Sequence, residues 1–305
     1  MRILILGGNG FIGKNLIDKL SNNTECSIFF PTREHVDILK YEDISCYIKD
    51  IHPDVIFNLA SHGGSLHYVS EYAGDVYYDN VSMALNIYRA VQTFCPNSKI
   101  IQPFSNCSYP GMSAIQKEDE WLSGTVHPSI FSFANAKRAI YYLSQCYYNQ
   151  YNIKTVNMLF ANTYGPGDSD DPNKTHALNG MIIRMLQAKK DNEKEFVVWG
   201  TGEPIREWTY VDNFIDALIL AMDIDHMEYP MNISQRKGHS IAESASMIKE
   251  VCEFEGYIVF DTSYTDGDPI KIMDDELFNQ HFPNFTFYDH KQGIKNTVSY
   301  YKSRQ

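Results

Sequence analysis

A chain of 305 residues with 44% hydrophobic and 21% charged side chains can bury a large core, as one α/β domain or a domain with a smaller lobe. That composition excludes a disordered polypeptide, and no stretch approaches the roughly 20 consecutive apolar residues of a membrane helix. The formal net charge of -12 argues against nucleic acid or an anionic membrane surface as partner and leaves small anions held in local basic pockets.

Arg2–Leu6 is a short apolar run, a glycine-rich stretch follows, Phe11–Leu20 has helical spacing and Cys26–Phe30 reads as a second strand. This βαβ opening continues with a helix over Ile44–Ile51, a strand over Asp54–Ala60, a long helix over Val76–Phe94 and a strand over Lys99–Ser105. A second long helix is predicted over Phe133–Tyr151, then a strand over Thr155–Ala161 and a turn-rich segment Asn162–Asp168. The alternation predicts an α/β protein with a parallel, doubly wound Rossmann sheet and helices on both faces.

Past this point the rhythm breaks into short strands at Glu195–Trp199, Met231–Ser234 and Tyr257–Asp261. A smaller C-terminal α/β substrate lobe is expected, interleaved with the last elements of the sheet. Residues 1–165 would form the dinucleotide-binding domain and 166–305 most of the substrate-binding lobe. The six cysteines (Cys26, Cys46, Cys95, Cys107, Cys146 and Cys252) show no C-x-x-C spacing, and the chain opens on a strand rather than a signal segment. A reduced, cytoplasmic setting is therefore expected.

Gly7-Gly-Asn-Gly-Phe-Ile-Gly13 lies between the first strand and the first helix, with Gly7, Gly10 and Gly13 spaced three apart. Glycines there permit a tight turn, close backbone approach to a pyrophosphate, and a helix N-terminus facing the anion. Phe11 and Ile12 in this loop, and Leu59 and Ala60 at the end of the third strand, complete the expected dinucleotide contacts. After the second strand, Phe29-Phe-Pro-Thr-Arg33 ends in an arginine where NAD-binding units place a carboxylate. A guanidinium suits a 2′-phosphate, so NADP is favoured over NAD. The alternatives are that Arg33 is a solvated loop charge or that Glu34 reads the ribose.

The chain resembles the extended short-chain dehydrogenase/reductases of the nucleotide-sugar epimerase/dehydratase type over nearly its whole length. The resemblance rests on the glycine loop, Asn58-Leu-Ala60, Ser105-Asn-Cys-Ser-Tyr-Pro110, Tyr164-Gly-Pro-Gly-Asp168, Thr175-His176, Val198-Trp-Gly-Thr-Gly202, Arg206-Glu-Trp-Thr-Tyr-Val-Asp212 and Asp266-Gly-Asp-Pro269. It is nearest to members that epimerise and reduce a 4-keto GDP-sugar. It implies an NADP(H)-dependent reductase, also able to epimerise C3 and C5, in the making of a surface-polysaccharide sugar.

In that family a tyrosine beside a serine and a lysine gives the proton to the reduced oxygen. The serine matches Ser105, and the Tyr-x-x-x-Lys motif falls on Phe133-Ala-Asn-Ala-Lys137. Lys137 is retained, to bind cofactor as well as to act in catalysis, but the hydroxyl is absent. Phenylalanine cannot move a proton, and general acid catalysis is worth roughly 10²–10⁴ in rate. Three readings stand open: a substitution introduced to trap a ligand complex, a natural enzyme that only epimerises, or one in which Lys137 or a bound water replaces the acid. A non-catalytic dinucleotide-binding regulator is the alternative from outside enzymology.

The family's epimerising cysteine and histidine fall on Cys107 and His176. The resemblance further implies substrate contacts at Ser105, Asn162, His176 and Arg206, with Trp199 and Lys271 as candidates beside the nucleotide. Trp199 could equally fill the lobe interface, and Lys271 could be a surface charge. Ile270 departs from the family, where an arginine often follows Asp-Gly-x-Pro, which weakens the preference for GDP. No metal is expected, since Cys107 and His176 sit in no ligand cluster and His62 and His67 lack a partner motif. Family members pair through two long helices, matching residues 76–94 and 133–151, and the run Tyr141–Tyr148 is too aromatic for a freely solvated face. A homodimer is expected.

Overall fold

A computed structural model describes residues 1–21, 23–111, 115–171 and 174–304. The first half alternates β1 (Arg2–Leu6), α1 (Phe11–Leu20), β2 (Ser27–Phe29), α2 (Tyr41–Ile51) and β3 (Val55–Asn58). The short α3 (Leu66–Glu71) leads into the long α4 (Ala73–Phe94), β4 (Lys99–Ser105) and the two-residue β5 (Ile115–Gln116). Then come α5 (Phe131–Tyr151), β6 (Thr155–Phe160), β7 (Asn162–Tyr164) and α6 (Ala177–Lys190). The remainder holds β8 (Glu195–Trp199), β9 (Ile205–Tyr210), α7 (Val211–Leu220), β10 (Met231–Ile233), β11 (Gly238–Ser240) and α8 (Ile241–Cys252). The last elements are β12 (Tyr257–Asp261), β13 (Ile270–Met273), α9 (Glu276–His281) and α10 (His290–Lys302).

Six strands form one parallel sheet in the order β10-β6-β4-β3-β1-β2. Period-two alternation sends Ile3 and Ile5 into the core on one face and Leu4 and Leu6 into the core on the other. Helices therefore cover both faces, as a parallel sheet requires. From β1 the chain winds outward to β2 and then returns to β3 on the opposite side of β1. This reversal opens a crevice at the C-terminal ends of β1 and β3, the place where such sheets bind ligands.

The C-terminal half builds a second sheet, β11-β9-β13-β5, with β7 also paired to β9, and a two-stranded ribbon of β12 and β8. The segment Met231–Ile233 belongs to the large sheet, pairing in parallel with β6. Conversely, the early β5 is donated to the second sheet through β13. One buried cluster runs from Ile3, Leu16 and Phe57 to Met185, Trp208 and Phe254, so the two sheets share a core.

Strand and helix ends shift by a few residues from those expected. α2 and α4 each start three residues early, and α5 starts two early, at Phe131, because a 3₁₀ turn over Pro128–Ile130 feeds it, with proline pre-set for the first helical turn. The aromatic run on α5 divides by side. Tyr141 is buried edge-on against Trp121, Tyr147 packs on Tyr88 and Tyr148 stacks on His226, whereas Tyr142 is exposed. α4 and α5 pack together, and α4 leaves Tyr77, Tyr78 and Leu85 exposed. Among the described residues no helix is long and apolar enough to cross a membrane.

Candidate active site

The crevice begins at the glycine loop. Gly7 has φ +84°, and a Cβ there would lie 2.7 Å from both Ala60 N and the carbonyl carbon of Leu59. At Gly13 a Cβ would fall 2.3 Å from the Gly7 carbonyl oxygen, so the helix can approach the strand this closely only without a side chain. Gly10 donates its N–H to Gly7 O at 3.0 Å and caps α1 without offering a side-chain acceptor. The first turn of α1, carrying Phe11, Ile12 and Gly13, has no acidic residue. Its N–H groups lack intrahelical partners and carry the positive end of the helix dipole. Leu59 and Ala60 form the facing wall, and Arg33 is exposed on the loop after β2. This cradle fits the diphosphate of a dinucleotide.

Phe133 and Lys137 stand one turn apart on α5, so both reach the same side of the helix. Lys137 is buried, donates from Nζ to Ser61 Oγ at 3.0 Å and lies 4.9 Å from the centroid of the Phe133 ring. Burial pushes its ammonium down to about 8, against the opposing pull of Cys107. Ser61 in turn donates to Asn80 Oδ1 at 3.0 Å, and the same amide clamps the backbone of His62 through its N–H and its carbonyl. Ser105 ends β4, and its Oγ accepts the Cys107 N–H at 3.3 Å to start a 3₁₀ turn. Burial pushes the Cys107 thiol up, while the Ser105 hydrogen bond and the charges of Lys271 and Lys137 pull it down. Ser105 and Cys107 are thus gathered with Lys137, which lies against the half-buried Phe133, and the Lys271 charge reaches Cys107.

His176 caps α6, with Nδ1 held at 3.0 Å from both oxygens of Asp168. Asp168 is buried and also accepts from His176 N and Asn179 Nδ2, each at 2.9 Å. Burial works to raise the carboxyl, but the hydrogen bond and charge of His176 outweigh it and hold Asp168 below its usual range. The His176 ring lies 5.8 Å from that of Phe11, which sets it beside the cofactor loop. Asn162 donates to Glu207 O at 3.3 Å.

Arg206 and Lys271 are register neighbours on β9 and β13. Lys271 pairs with Asp268 at 3.0 Å, and burial lowers Arg206 while Asp268 and Asp266 oppose. Glu207, next on β9, accepts from Met273 N, Gln235 N and the Ser234 hydroxyl; burial pushes its carboxyl up to about 7. These bonds fix the strand that carries Arg206. Trp199 is 60% exposed and stacks on Tyr264 at 5.0 Å, so it does not fill the lobe interface. The Arg184 guanidinium lies between Phe196 and Trp199, 5.0 and 5.3 Å from the two rings.

Residues 3–233 match the model of the NAD dependent epimerase/dehydratase family. The chain belongs to this family. It is 30% identical over 274 residues to a protein described as probable GDP-L-fucose synthase 1 of Oryza sativa subsp. japonica, covering 90% of this chain and 84% of that one. The GDP-L-fucose synthase of Escherichia coli (strain K12) is 28% identical over 283 residues, covering 90% and 88%. A solved GDP-L-fucose synthetase from Naegleria fowleri, bound to NADP, superposes with a TM-score of 0.92 at 26% identity, covering 99% of this chain and 93% of that one.

Within this NAD dependent epimerase/dehydratase chain, several site residues were invisible to pattern reading. Ser61 and Asn80 hold Lys137 and the adjoining loop from another part of the chain, and no local motif announces them. Asp168 lies inside the Tyr164–Asp168 segment, yet its partner His176 is eight positions away in sequence. Arg184 is an ordinary helix cation until β8 is laid against α6.

Proposed function

We propose that this protein is an NADP(H)-dependent reductase of a 4-keto nucleotide sugar, with a GDP-sugar favoured, and that it can also epimerise C3 and C5. The observation that carries this reading is the gathering of Ser105, Cys107 and Lys137 beside a dinucleotide cradle. The GDP-L-fucose synthase relatives and the NADP-bound neighbour support the cofactor and the substrate class. Gly7–Gly13 would hold the cofactor diphosphate, Arg33 the 2′-phosphate, and Leu59, Ala60 and Lys137 the nicotinamide end. When bound, the dinucleotide supplies the hydride.

Ser105 donates a hydrogen bond to the carbonyl oxygen, and the Lys137 charge favours the electron density that collects there. For epimerisation, Cys107 and His176 exchange protons beside the ketone, one removing and the other returning. Asp168 fixes the His176 tautomer and stabilises its imidazolium. Arg206 and Lys271 offer adjacent cations to the nucleotide diphosphate, and Trp199 with Arg184 offers a flat, cationic face to the base. Asn162 lines the sugar end. The protein works in this reading as a homodimer through α4 and α5.

Incubation with NADPH and 4-keto GDP-sugars in deuterium oxide tests the reading. Loss of NADPH absorbance with deuterium at C3 or C5 is expected. Phe133 favours a second reading, an epimerase without net redox change, which would show deuterium uptake with no NADPH consumed. Cofactor binding without either reaction would refute both.

A further inference from the structure

The first family motif lacks its hydroxyl, and a second set of side chains at the same cleft carries one. Asp79 on α4 pairs with His62 Nδ1 at 2.8 Å, and His62 Nε2 meets the Tyr68 hydroxyl at 2.9 Å. A carboxylate, an imidazole and a phenol in series are the elements of a proton relay. The imidazole is held in line by its own backbone: His62 N–H and C=O are both bonded to Asn80, at 3.2 and 2.8 Å. Asn80 is also the acceptor for Ser61, the partner of Lys137, so one buried amide positions both the relay and the lysine.

Two consecutive glycines link this set to Phe133. A Cβ on Gly63 would lie 3.2 Å from the Phe133 ring, and one on Gly64 would lie 2.7 Å from the Tyr68 ring. The two aromatic rings therefore flank the same exposed two-residue step, one without a hydroxyl and one with it. Ser132, next to Phe133, donates to Val69 O at 2.9 Å and locks α3 against the start of α5. The side chains of His62 and Asp79 are each 25% exposed, so the relay can exchange protons with solvent.

We propose that Tyr68 gives the proton to the reduced sugar oxygen in this chain, recharged through His62 and Asp79, in place of the hydroxyl absent from Phe133. The proposal rests on the reductase reading above. As the carbonyl carbon gains a hydride from a reduced nicotinamide, which is oxidised, its oxygen takes the proton while the Tyr68 O–H bond breaks. The phenolate takes the Nε2 proton of the His62 imidazolium, whose Nδ1–H stays on Asp79. The neutral imidazole then regains a proton from solvent.

The test compares wild type, Tyr68→Phe, His62→Gln, Phe133→Tyr and the Tyr68→Phe/Phe133→Tyr double variant. Keto-sugar-dependent NADPH oxidation should fall by roughly 10²-fold or more in the first two variants, with NADP affinity unchanged. Phe133→Tyr should restore the rate in the Tyr68→Phe background, which a merely structural role for Tyr68 does not predict. Independently of turnover, ¹⁵N-histidine spectra of the protein without nucleotide should show the His62 Nε2 resonance moving in Tyr68→Phe. Wild-type oxidation rates in Tyr68→Phe, or an unmoved Nε2 resonance, overturn the relay. If no 4-keto sugar is reduced by wild type or by Phe133→Tyr although the resonance moves, the reductase reading fails, and the catalytic role of Tyr68 falls with it.

Discussion

Replacing Lys137 by methionine should make the protein more stable and less functional at once. The side chain is 5% exposed, and burial pushes its ammonium from 10.5 down to about 8. At 1.36 kcal/mol per pH unit, holding that charge in the folded state costs about 3 kcal/mol at neutral pH. The hydrogen bond to Ser61 returns roughly 1.5 kcal/mol and the contact with the Phe133 ring roughly 0.5. A net gain of about 1 kcal/mol is expected for Lys137→Met at pH 7, because methionine fills the same space without a charge. The sign with pH follows from the depressed folded-state value. Between about 8 and 10.5 the unfolded chain binds more protons at this site, so wild-type stability rises with pH across that window and gains nothing from it below. Thermal unfolding of both proteins without nucleotide, from pH 7 to 10, should show the advantage of the variant shrinking as pH rises. NADP affinity should fall in the same variant. A Lys137→Met protein less stable than wild type at pH 7, or a difference that does not change with pH, would refute the account of the buried ammonium.

Gly13→Ala forces a methyl group to 2.3 Å from the Gly7 carbonyl oxygen, so α1 must move off β1. Overpacking of this kind costs about 1–3 kcal/mol, and calorimetric titration should show at least a tenfold loss of NADP affinity (~1.4 kcal/mol). Asp168→Asn removes the carboxylate that fixes His176, and NMR should show deuterium exchange into the sugar falling while NADP affinity holds. Because Asp168 is held below its usual range, its contribution to stability is present at neutral pH and lost as pH falls through the folded value. The acid limb of a stability profile should therefore be flatter in that variant. Sedimentation should show a wild-type dimer and a monomeric Leu85→Asp/Tyr142→Asp protein, since these exposed apolar groups lie on α4 and α5. A wild-type monomer at micromolar concentration would remove the helix-pairing proposal.

The parallel sheet and its cofactor loop were legible in the sequence because their causes are local. Apolar runs of strand length, helical spacing between them and glycines three apart each reflect a constraint acting within a few residues. Ser105, Phe133 and Lys137 were named from the family resemblance, and the 133–137 pair could be matched because its spacing is one helical turn. The short strands were harder. Met231–Ile233 enters the large sheet and Ile115–Gln116 the small one, and neither segment is long enough to carry a period that says which partner it takes.

By itself, the sequence determined that a dinucleotide-sized anion has a cradle at Gly7–Gly13 and that position 133 brings no hydroxyl to it. Only the tertiary structure decided what stands around that gap. It set Lys137 on Ser61 and Asn80, seated His176 on Asp168, and ran Asp79 through His62 to Tyr68 across a pair of glycines. Each of these contacts joins different parts of the chain through a side chain whose desolvation must be met by some partner. Composition and spacing show that such partners are needed; the packing of α3, α4 and α5 selects those of Lys137 and His62, and the start of α6 brings His176 to Asp168.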